Sequence, residues 1–410
     1  MSAGLPDQGY WGCKAMISEK YDLIVIGAGP GGSVTSRFAA ENGASVLMLE
    51  RDREPGIPVR CAEGVSHSGI SPFIEIEDRW ISAKIDIAIL NSPDGNSATM
   101  YNNGAGYVLE RRIFDAALCE LACKKGVTLL TKANAIGLIK NNNKIEGVIF
   151  RYLGKTYKVR SKLVVGADGV ESRVGRWAGI NTTVKLEDID TCAQFTLTDI
   201  SVKKNACEFY FGVDIAPGGY IWIFPKSDHS ANIGIGISGH LAKEKSPYEY
   251  LCEFVSKKYP QGKTIYTVFG SVTTSATLKE IVSDNLMLVG DAARQVNPIT
   301  GGGIVHAMIA GKIAGTVAAE AIKNNDFRKH FLKKYQRQWD KKLGNIQKTM
   351  FNLKNRFLRM NDEKFNRIVA FCQKIPRNEF SLKVLFAEAV KGDPKLMLEV
   401  AKAFVVSKIK

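Results

Sequence analysis

Three glycines, one acid and the spacing between them are the residues of this chain that most directly imply chemistry. Leu23 to Ile26 is an aliphatic, β-branched run that ends in Gly-Ala-Gly-Pro-Gly-Gly. Ser33 to Glu41 then carries helix-forming spacing, and a second apolar run, Ser45 to Leu49, closes on Glu50. Strand, glycine turn, helix, strand and acid in that order form a βαβ unit suited to a dinucleotide. Gly27 permits the tight turn, Gly29 lets the backbone approach a pyrophosphate, and Gly32 allows close helix–strand packing. The helix start adds free N–H groups and a partial positive charge. Glu50 can accept hydrogen bonds from ribose hydroxyls, which implies a free 2′-hydroxyl and so FAD or NAD rather than NADP.

The string Gly234-Ile-Gly236-Ile-Ser-Gly239 also satisfies G-x-G-x-x-G. It lies in an alternating strand-like stretch, Ala231 to Ser238, with no apolar helix after it to close a βαβ unit, so it reads as coincidence. No second nucleotide fold is predicted. Two other segments do read as parts of a flavin site. From Val164, Val-Val-Gly-Ala-Asp-Gly predicts a strand, a turn at Asp168-Gly169 and a helix start that brings Arg173 to the cofactor end of the sheet. From Leu286, a buried strand ends at Gly290-Asp291, and Gly301 to Gly303 precede a helix starting at Ile304. Asp291 could bind a ribityl hydroxyl, and the glycine-rich helix start could face the flavin pyrimidine and stabilise its charge on reduction. Each aspartate taken singly could instead cap a helix or turn. Together with the first unit, in this order, the three segments point to FAD.

The elements that must hold these groups fit one large unit or two interlocked domains of 410 residues with an ordinary apolar fraction. The formal charge of +15 favours an anionic partner: nucleic acid, an anionic membrane, an acidic electron donor or a phosphorylated substrate. Between Lys323 and Arg359 only Asp326 and Asp340 offset many Lys and Arg residues, a pattern of a solvated helical face or a membrane-facing patch. Eight cysteines with no C-x-x-C pair suggest neither a disulfide framework nor a metal site, and fit a reducing, cytoplasmic setting. The segment before Met16 lacks periodicity and reads as a disordered extension without a secretory signal. Ile299 to Ile322 has the length of a membrane span but is broken by His306 and Lys312, so a buried helix is expected.

With Pro-Val-Arg-Cys-Ala-Glu-Gly from Pro58 and Gly-Gly-Tyr-Ile-Trp-Ile-Phe-Pro-Lys from Gly218, the chain resembles the FAD-dependent oxidoreductases of the para-hydroxybenzoate hydroxylase type. Within them it is most similar to the geranylgeranyl reductase family, archaeal lipid reductases in particular. The resemblance runs from Tyr21 to about Asn325. It implies an α/β fold: a Rossmann-like FAD domain (20–84, 105–183 and 276–328), an inserted antiparallel-sheet substrate domain (85–104 and 184–275), a helical region (329–410) and an extension at 1–19. It also implies cofactor contacts at Gly27, Gly29, Gly31, Gly32, Glu50, Arg51, Cys61, Ala62, Gly64, Arg111, Ala135, Asp168, Asp291, Gly303 and Ile304. Cys61 would lie beside the flavin as a catalytic residue, and Tyr220, Trp222, Phe224 and Pro225 would line a substrate cavity. No metal is implied.

Read from the residues alone, Cys61 could be simply a buried small hydrophobe. Yet it stands in a Pro/Gly-punctuated loop between Arg60 and Glu63, where its pKa could be adjusted. Tyr220, Trp222 and Phe224 share one strand face, which makes either an ordinary sheet core or an apolar wall for an isoprenoid chain. His67 and His306 read as structural or surface residues, and Cys119 and Cys123 as packing on an amphipathic helix. The resemblance implies hydride transfer from reduced FAD to an isolated carbon–carbon double bond with a proton added beside it. No residue stands out as the strong acid for that step; Cys61 and an ordered water are candidates. The isoprenoid lipid would be met at the inner face of the membrane, with no nucleic-acid partner. A ferredoxin, a reduced deazaflavin or NAD(P)H would supply electrons. A flavin monooxygenase, a reductase of free geranylgeranyl diphosphate or chlorophyll side chains, and a non-catalytic flavin carrier are the rival readings.

Overall fold

The structure, a computed structural model, describes residues 17–142, 144–358, 360–376, 382–389 and 391. The N-terminal extension, but for its last few residues, and much of the segment after 376 therefore lie outside the described residues.

The chain opens with β1 (Lys20–Ile26), α1 (Pro30–Glu41) and β2 (Val46–Leu49). β3 (Gly64–Ser66), the single turn α2 (His67–Ile70), β4 (Ile81–Asn91), β5 (Ser97–Leu109) and α3 (Arg111–Cys123) follow. Next come β6 (Thr128–Leu130), β7 (Ala133–Asn141), β8 (Lys144–Tyr152), β9 (Lys155–Gly166) and the short α4 (Arg173–Trp177). The middle of the chain holds β10 (Ile189–Thr198), β11 (Ala206–Tyr210), β12 (Tyr220–Pro225), β13 (Ser230–Ser238), α5 (Pro247–Lys258) and β14 (Lys263–Thr273). β15 (Val282–Ser283) and β16 (Leu286–Leu288) lead into α6 (Ile304–Asn324), then α7 (Lys329–Trp339), α8 (Asn345–Phe357), α9 (Asp362–Gln373) and α10 (Leu382–Ala389).

Two sheets organise these elements. The first runs β15-β16-β9-β1-β2-β6, with β8 and β7 continuing from β9. β16, β9, β1, β2 and β6 pair in parallel. Leu23, Ile24 and Val25 are fully buried, as expected for a parallel strand covered on both faces, which cannot alternate. The second sheet runs β14-β10-β13-β12-β11-β4-β5-β3 and is antiparallel except where β11 meets β4. Its strand β10 does alternate: Ala193, Phe195 and Leu197 enter an apolar core against α5, while Asp190, Cys192, Gln194 and Thr196 take the opposite face.

The expected domain edges at 84/85 and 104/105 fall inside β4 and β5, which pair as one hairpin from Ile81 to Leu109. A ladder held by mutual hydrogen bonds runs whole, so both strands, and β3 beside them, lie in the second sheet. The apolar stretch expected as a buried helix forms α6, and 61% of its most apolar window is buried. Its small residues Ala307, Gly311 and Gly315 pack closely on α1, beginning at Gly31 in the glycine turn.

Candidate active site

Parallel strands end at a common edge, where ligands of open α/β sheets bind. Here Ile26 is level with Leu49 of β2 and Gly166 of β9, and Gly166 is level with Leu288 of β16. The residues just beyond these positions are the glycine turn, Glu50, Asp168 and Asp291. Three sequence segments are thereby brought to one line.

The glycine turn is tight because nothing larger fits. A Cβ on Gly32 would lie 1.9 Å from the Gly27 carbonyl oxygen. At Gly29, by contrast, a Cβ would meet nothing within 4 Å, leaving space on the side a pyrophosphate needs. α1 starts at Gly29 with no side-chain cap, so its first amides remain available to an anion. Glu50 accepts the Ala28 amide at 2.9 Å on one oxygen and the Asp52 amide at 2.9 Å on the other. Burial raises its pKa, and these amides oppose the rise. Each oxygen keeps a further lone pair for a ribose hydroxyl. Arg51 pairs loosely with Asp52 and Glu171, at 3.6 and 3.9 Å, and Ala135 is buried on β7 opposite Phe150.

The two aspartates differ. Asp168 does serve as a cap, accepting the Val174 amide at 2.9 Å, but its other oxygen is buried with no partner among the described residues. The Asp291 carboxyl has no protein hydrogen-bond donor among the described residues and stands against Gly303 at the start of α6. Burial raises the Asp291 pKa, offset in part by the Arg111 charge. Arg173 rests over the Trp177 ring at 5.1 Å. Ser172 Oγ donates to the Ala292 carbonyl at 2.7 Å, tying the second flavin segment to the third. An uncapped helix end, an open glycine and two under-satisfied carboxylates are the polar complement of a dinucleotide and a ribityl chain. The residues fit FAD.

Beyond the dinucleotide end the site is built from side chains. The loop carrying Cys61, Ala62 and Gly64 is fixed by Glu63, which takes a positive φ of 74° and is 4% exposed. Its carboxylate accepts the Arg111 amide at 2.8 Å, Lys226 Nζ at 2.6 Å and Asn232 Nδ2 at 2.7 Å. Lys226, the last residue of the Tyr220 motif, also donates to the Leu109 carbonyl at 2.6 Å. A buried ion pair thus joins the two motifs that carried the resemblance. A Cβ on Gly64 would come within 2.6 Å of the Phe224 ring, so glycine is needed there for the wall to close on the loop.

Cys61 is held by two hydrogen bonds, one of them backed by a third. Gln194 Nε2 donates to its carbonyl at 3.1 Å, Trp222 Nε1 donates to Gln194 Oε1 at 3.0 Å, and the Glu63 amide donates to its Sγ at 3.2 Å. Burial pushes the Cys61 thiol up, with Arg111 beside it pulling the other way, so it remains a thiol at neutral pH. Arg111 is itself buried, which opposes its charge, but a bidentate pair with Asp115 at 2.6 and 2.7 Å keeps it protonated. Its charge acts on both Cys61 and Asp291.

Tyr220, Trp222 and Phe224 do form one wall. Tyr220 and Trp222 meet edge to face at 5.9 Å, and Phe209 touches both Tyr220 and Phe224 at 5.8 and 5.6 Å. Phe211 extends it and stacks on Phe365 of α9 at 5.7 Å. Pro225 is buried at its end. Tyr220 Oη donates to the Thr300 carbonyl at 2.6 Å, joining the wall to the glycines before α6. The second G-x-G-x-x-G string lies in β13, where a Cβ on Gly234 would enter the Trp222 indole at 2.3 Å. Its glycine serves the indole, not a phosphate. His67 is exposed and bonds Tyr107 at 2.6 Å. His306 is buried, edge-on to Trp339 at 6.0 Å, and burial lowers its pKa to about 4. Cys119 is buried, with its Sγ 3.2 Å from Ser33 Oγ.

Sequence reasoning overlooked Gln194, Asn232, Lys226 and Asp115 as positioning residues. One signal was present: Asp190, Cys192, Gln194 and Thr196 alternate with apolar residues, so their polar face had to lie somewhere specific.

These groups define an FAD-dependent oxidoreductase. Family models agree: one for FAD dependent oxidoreductases matches residues 22–219, and one for the geranylgeranyl reductase catalytic domain matches residues 188–272. Digeranylgeranylglycerophospholipid reductase 1 of Methanococcoides burtonii is 44% identical over 392 residues, covering 95% of this chain and 96% of that protein. Its counterpart from Methanocella arvoryzae is 44% identical over 387 residues, covering 93% and 99%. The chain belongs to the digeranylgeranylglycerophospholipid reductase family. Among solved structures, a geranylgeranyl bacteriochlorophyll reductase-like protein from Thermoplasma acidophilum superposes with a TM-score of 0.89 at 34% identity, over 94% of this chain and 99% of that one. A myxobacterial chondrochloren halogenase shares the fold, with a TM-score of 0.67 at 17% identity over 93% and 98%.

Proposed function

We propose that this chain saturates isolated carbon–carbon double bonds in the geranylgeranyl chains of archaeal membrane lipid precursors. The observation that supports this most is the aromatic wall bonded to the Cys61 loop through Trp222 and Gln194: it offers a flat apolar face to a substrate with nothing polar to grip, directly beside the cofactor end of the site. Reduced FAD, when bound, supplies the hydride. The protein's own part is to hold the alkene in place, keep water away and guide a proton to the neighbouring carbon. Cys61, Tyr220, Trp222 and Phe224 line the reacting region; Glu63, Lys226, Asn232 and Gln194 hold them there.

Electrons would enter from a carrier at the surface, a ferredoxin, a reduced deazaflavin or NAD(P)H, since the second glycine string is part of strand β13. Lys333, Arg337, Lys341, Lys342 and Lys348 are exposed on and between α7 and α8. They suit an acidic carrier, or anionic lipid at the inner membrane face at about 1 kcal/mol per basic residue. The test is anaerobic incubation of the flavin-loaded protein with unsaturated archaeal lipid and dithionite. Mass spectrometry should find successive two-hydrogen additions; an absolute need for oxygen would favour a monooxygenase, and reduction of geranylgeranyl diphosphate alone a different reductase.

A further inference from the structure

The wall contains a second kind of group that the reaction as described leaves unused. On β10, Asp190 and Cys192 point to the same face as Trp222: a Cβ placed on Gly236 of β13 would lie 3.4 Å from Cys192 Sγ, 3.8 Å from the Trp222 ring and 4.0 Å from Asp190 Cβ. Asp190 is level with Val272 of β14, and Val272 in turn packs at 3.5 Å against the Cβ position of Gly301. The carboxyl thus stands where the substrate sheet meets the glycine loop of the third flavin segment. Tyr220, bonded to that loop, lies close enough to interact electrostatically with Asp190, Cys192 and Cys61.

The Asp190 carboxyl has one hydrogen bond among the described residues, a long one of 3.3 Å from Thr274 Oγ1. Its other oxygen has no protein donor among the described residues, and the residue is only half-buried. A half-buried aspartate beside an aromatic wall, with a single long hydrogen bond, is costly in its charged form unless that form is transient.

We infer that Asp190 is the proton donor of alkene reduction, its free carboxyl oxygen facing the substrate carbon that does not receive the hydride. The inference rests on the function proposed above. In the step, the carbon–carbon π bond opens. One carbon takes the hydride, which leaves the flavin oxidised by two electrons, and the other takes the Asp190 proton. The carboxylate left behind recovers a proton from solvent, and the flavin recovers its electrons from the external donor, dithionite in the assay. Burial pushes the Asp190 pKa up to about 7, opposed by the Lys354 charge and the Thr274 hydroxyl. Such an acid is matched to its working pH, whereas the raised Cys61 and Cys192 thiols hold their protons too tightly. The groups facing Asp190 are Lys354 from α8, Thr274 after β14, Tyr220 from β12 and Cys192 on its own strand. Asp188 engages Lys354 at 3.4 Å, and His240 is bonded to Ser238, the β13 residue level with Asp190.

Asp190→Asn and Asp190→Glu test this. With prenyl lipid and dithionite, the wild-type rate should fall as pH rises through about 7. Asp190→Asn should lose on the order of 100-fold in rate together with that pH limb, and Asp190→Glu should recover part of both. A second readout needs no turnover. An aspartate whose folded pKa is raised loses stability as pH rises from its unfolded value through the folded one, so Asp190→Asn should melt several degrees above wild type at pH 8, by roughly 1 °C per kcal/mol, and equally with it at pH 4. An Asn variant that keeps the wild-type rate and pH limb, or melts in parallel with wild type at both pH values, overturns the assignment. Wild-type protein that reduces no prenyl lipid overturns the proposed function, and this inference with it.

Discussion

The two ends of the proposed flavin site are made of different materials. The dinucleotide end is mostly main chain: the Gly27 to Gly32 turn, the uncapped start of α1 and amides that orient Glu50. The reacting end is mostly side chain: Trp222 to Gln194 to the Cys61 carbonyl, and Lys226 and Asn232 to Glu63. Main-chain sites are specified by local residue spacing, because one turn supplies the whole geometry. Side-chain sites need partners that meet only once the sheets have formed. Changes at the first end should therefore cost cofactor affinity, and changes at the second should cost turnover with FAD retained.

The largest effect should come from Gly32→Val, whose Cβ would lie 1.9 Å from the Gly27 carbonyl oxygen. FAD retention, read by absorbance after gel filtration, should disappear. Next is Lys226→Ala, which strips Glu63 of its buried counter-charge. A loss of about 3–5 kcal/mol is expected, seen as a Tm lower by roughly 5 °C and a collapsed rate, with FAD still bound in the folded fraction. If that variant also lost its flavin when folded, the division between the two ends would not hold. Asp291→Asn keeps the shape but removes the charge, and should weaken FAD binding about 10-fold in a fluorescence titration, in line with the ~1.5–3 kcal/mol of a hydrogen bond to a charged group. The smallest change, Trp222→Phe, retains an aromatic ring but deletes the bond to Gln194 and the indole atoms over Gly234. It should cost about 1 kcal/mol in the barrier, a several-fold lower rate, with unchanged FAD content. A Trp222→Phe protein with full activity would reduce the relay to packing.

The same division explains what could be read before the structure. Gly27, Glu50, Asp168 and Asp291 announce themselves because each follows a recognisable strand, and the sheet register then places them at one edge. Tyr220, Trp222 and Phe224 were legible as one face through their alternation. Gln194 and Asn232 were not, since an amide on a strand looks ordinary until its partner is known to lie 133 or 169 residues away. Gly234 was read correctly as no phosphate loop, but its actual reason, room for an indole, exists only across the β12–β13 pair. The hairpin edges at Ile81 and Leu109 were missed because the resemblance marks cofactor contacts, not strand ladders.

β16 pairs with β9 across more than 120 residues of intervening chain, Leu286 with Val164. During synthesis, then, a growing polypeptide can complete β1, α1, β2 and β9 and still present an unfinished binding site. Asp291 and the start of α6 emerge only after the whole second sheet has been made. Such late, distant closure is slow to form and leaves unpaired strand edges exposed meanwhile. Cofactor capture is therefore expected only once synthesis has passed Ile304, and truncated products ending before Leu286 should emerge without flavin.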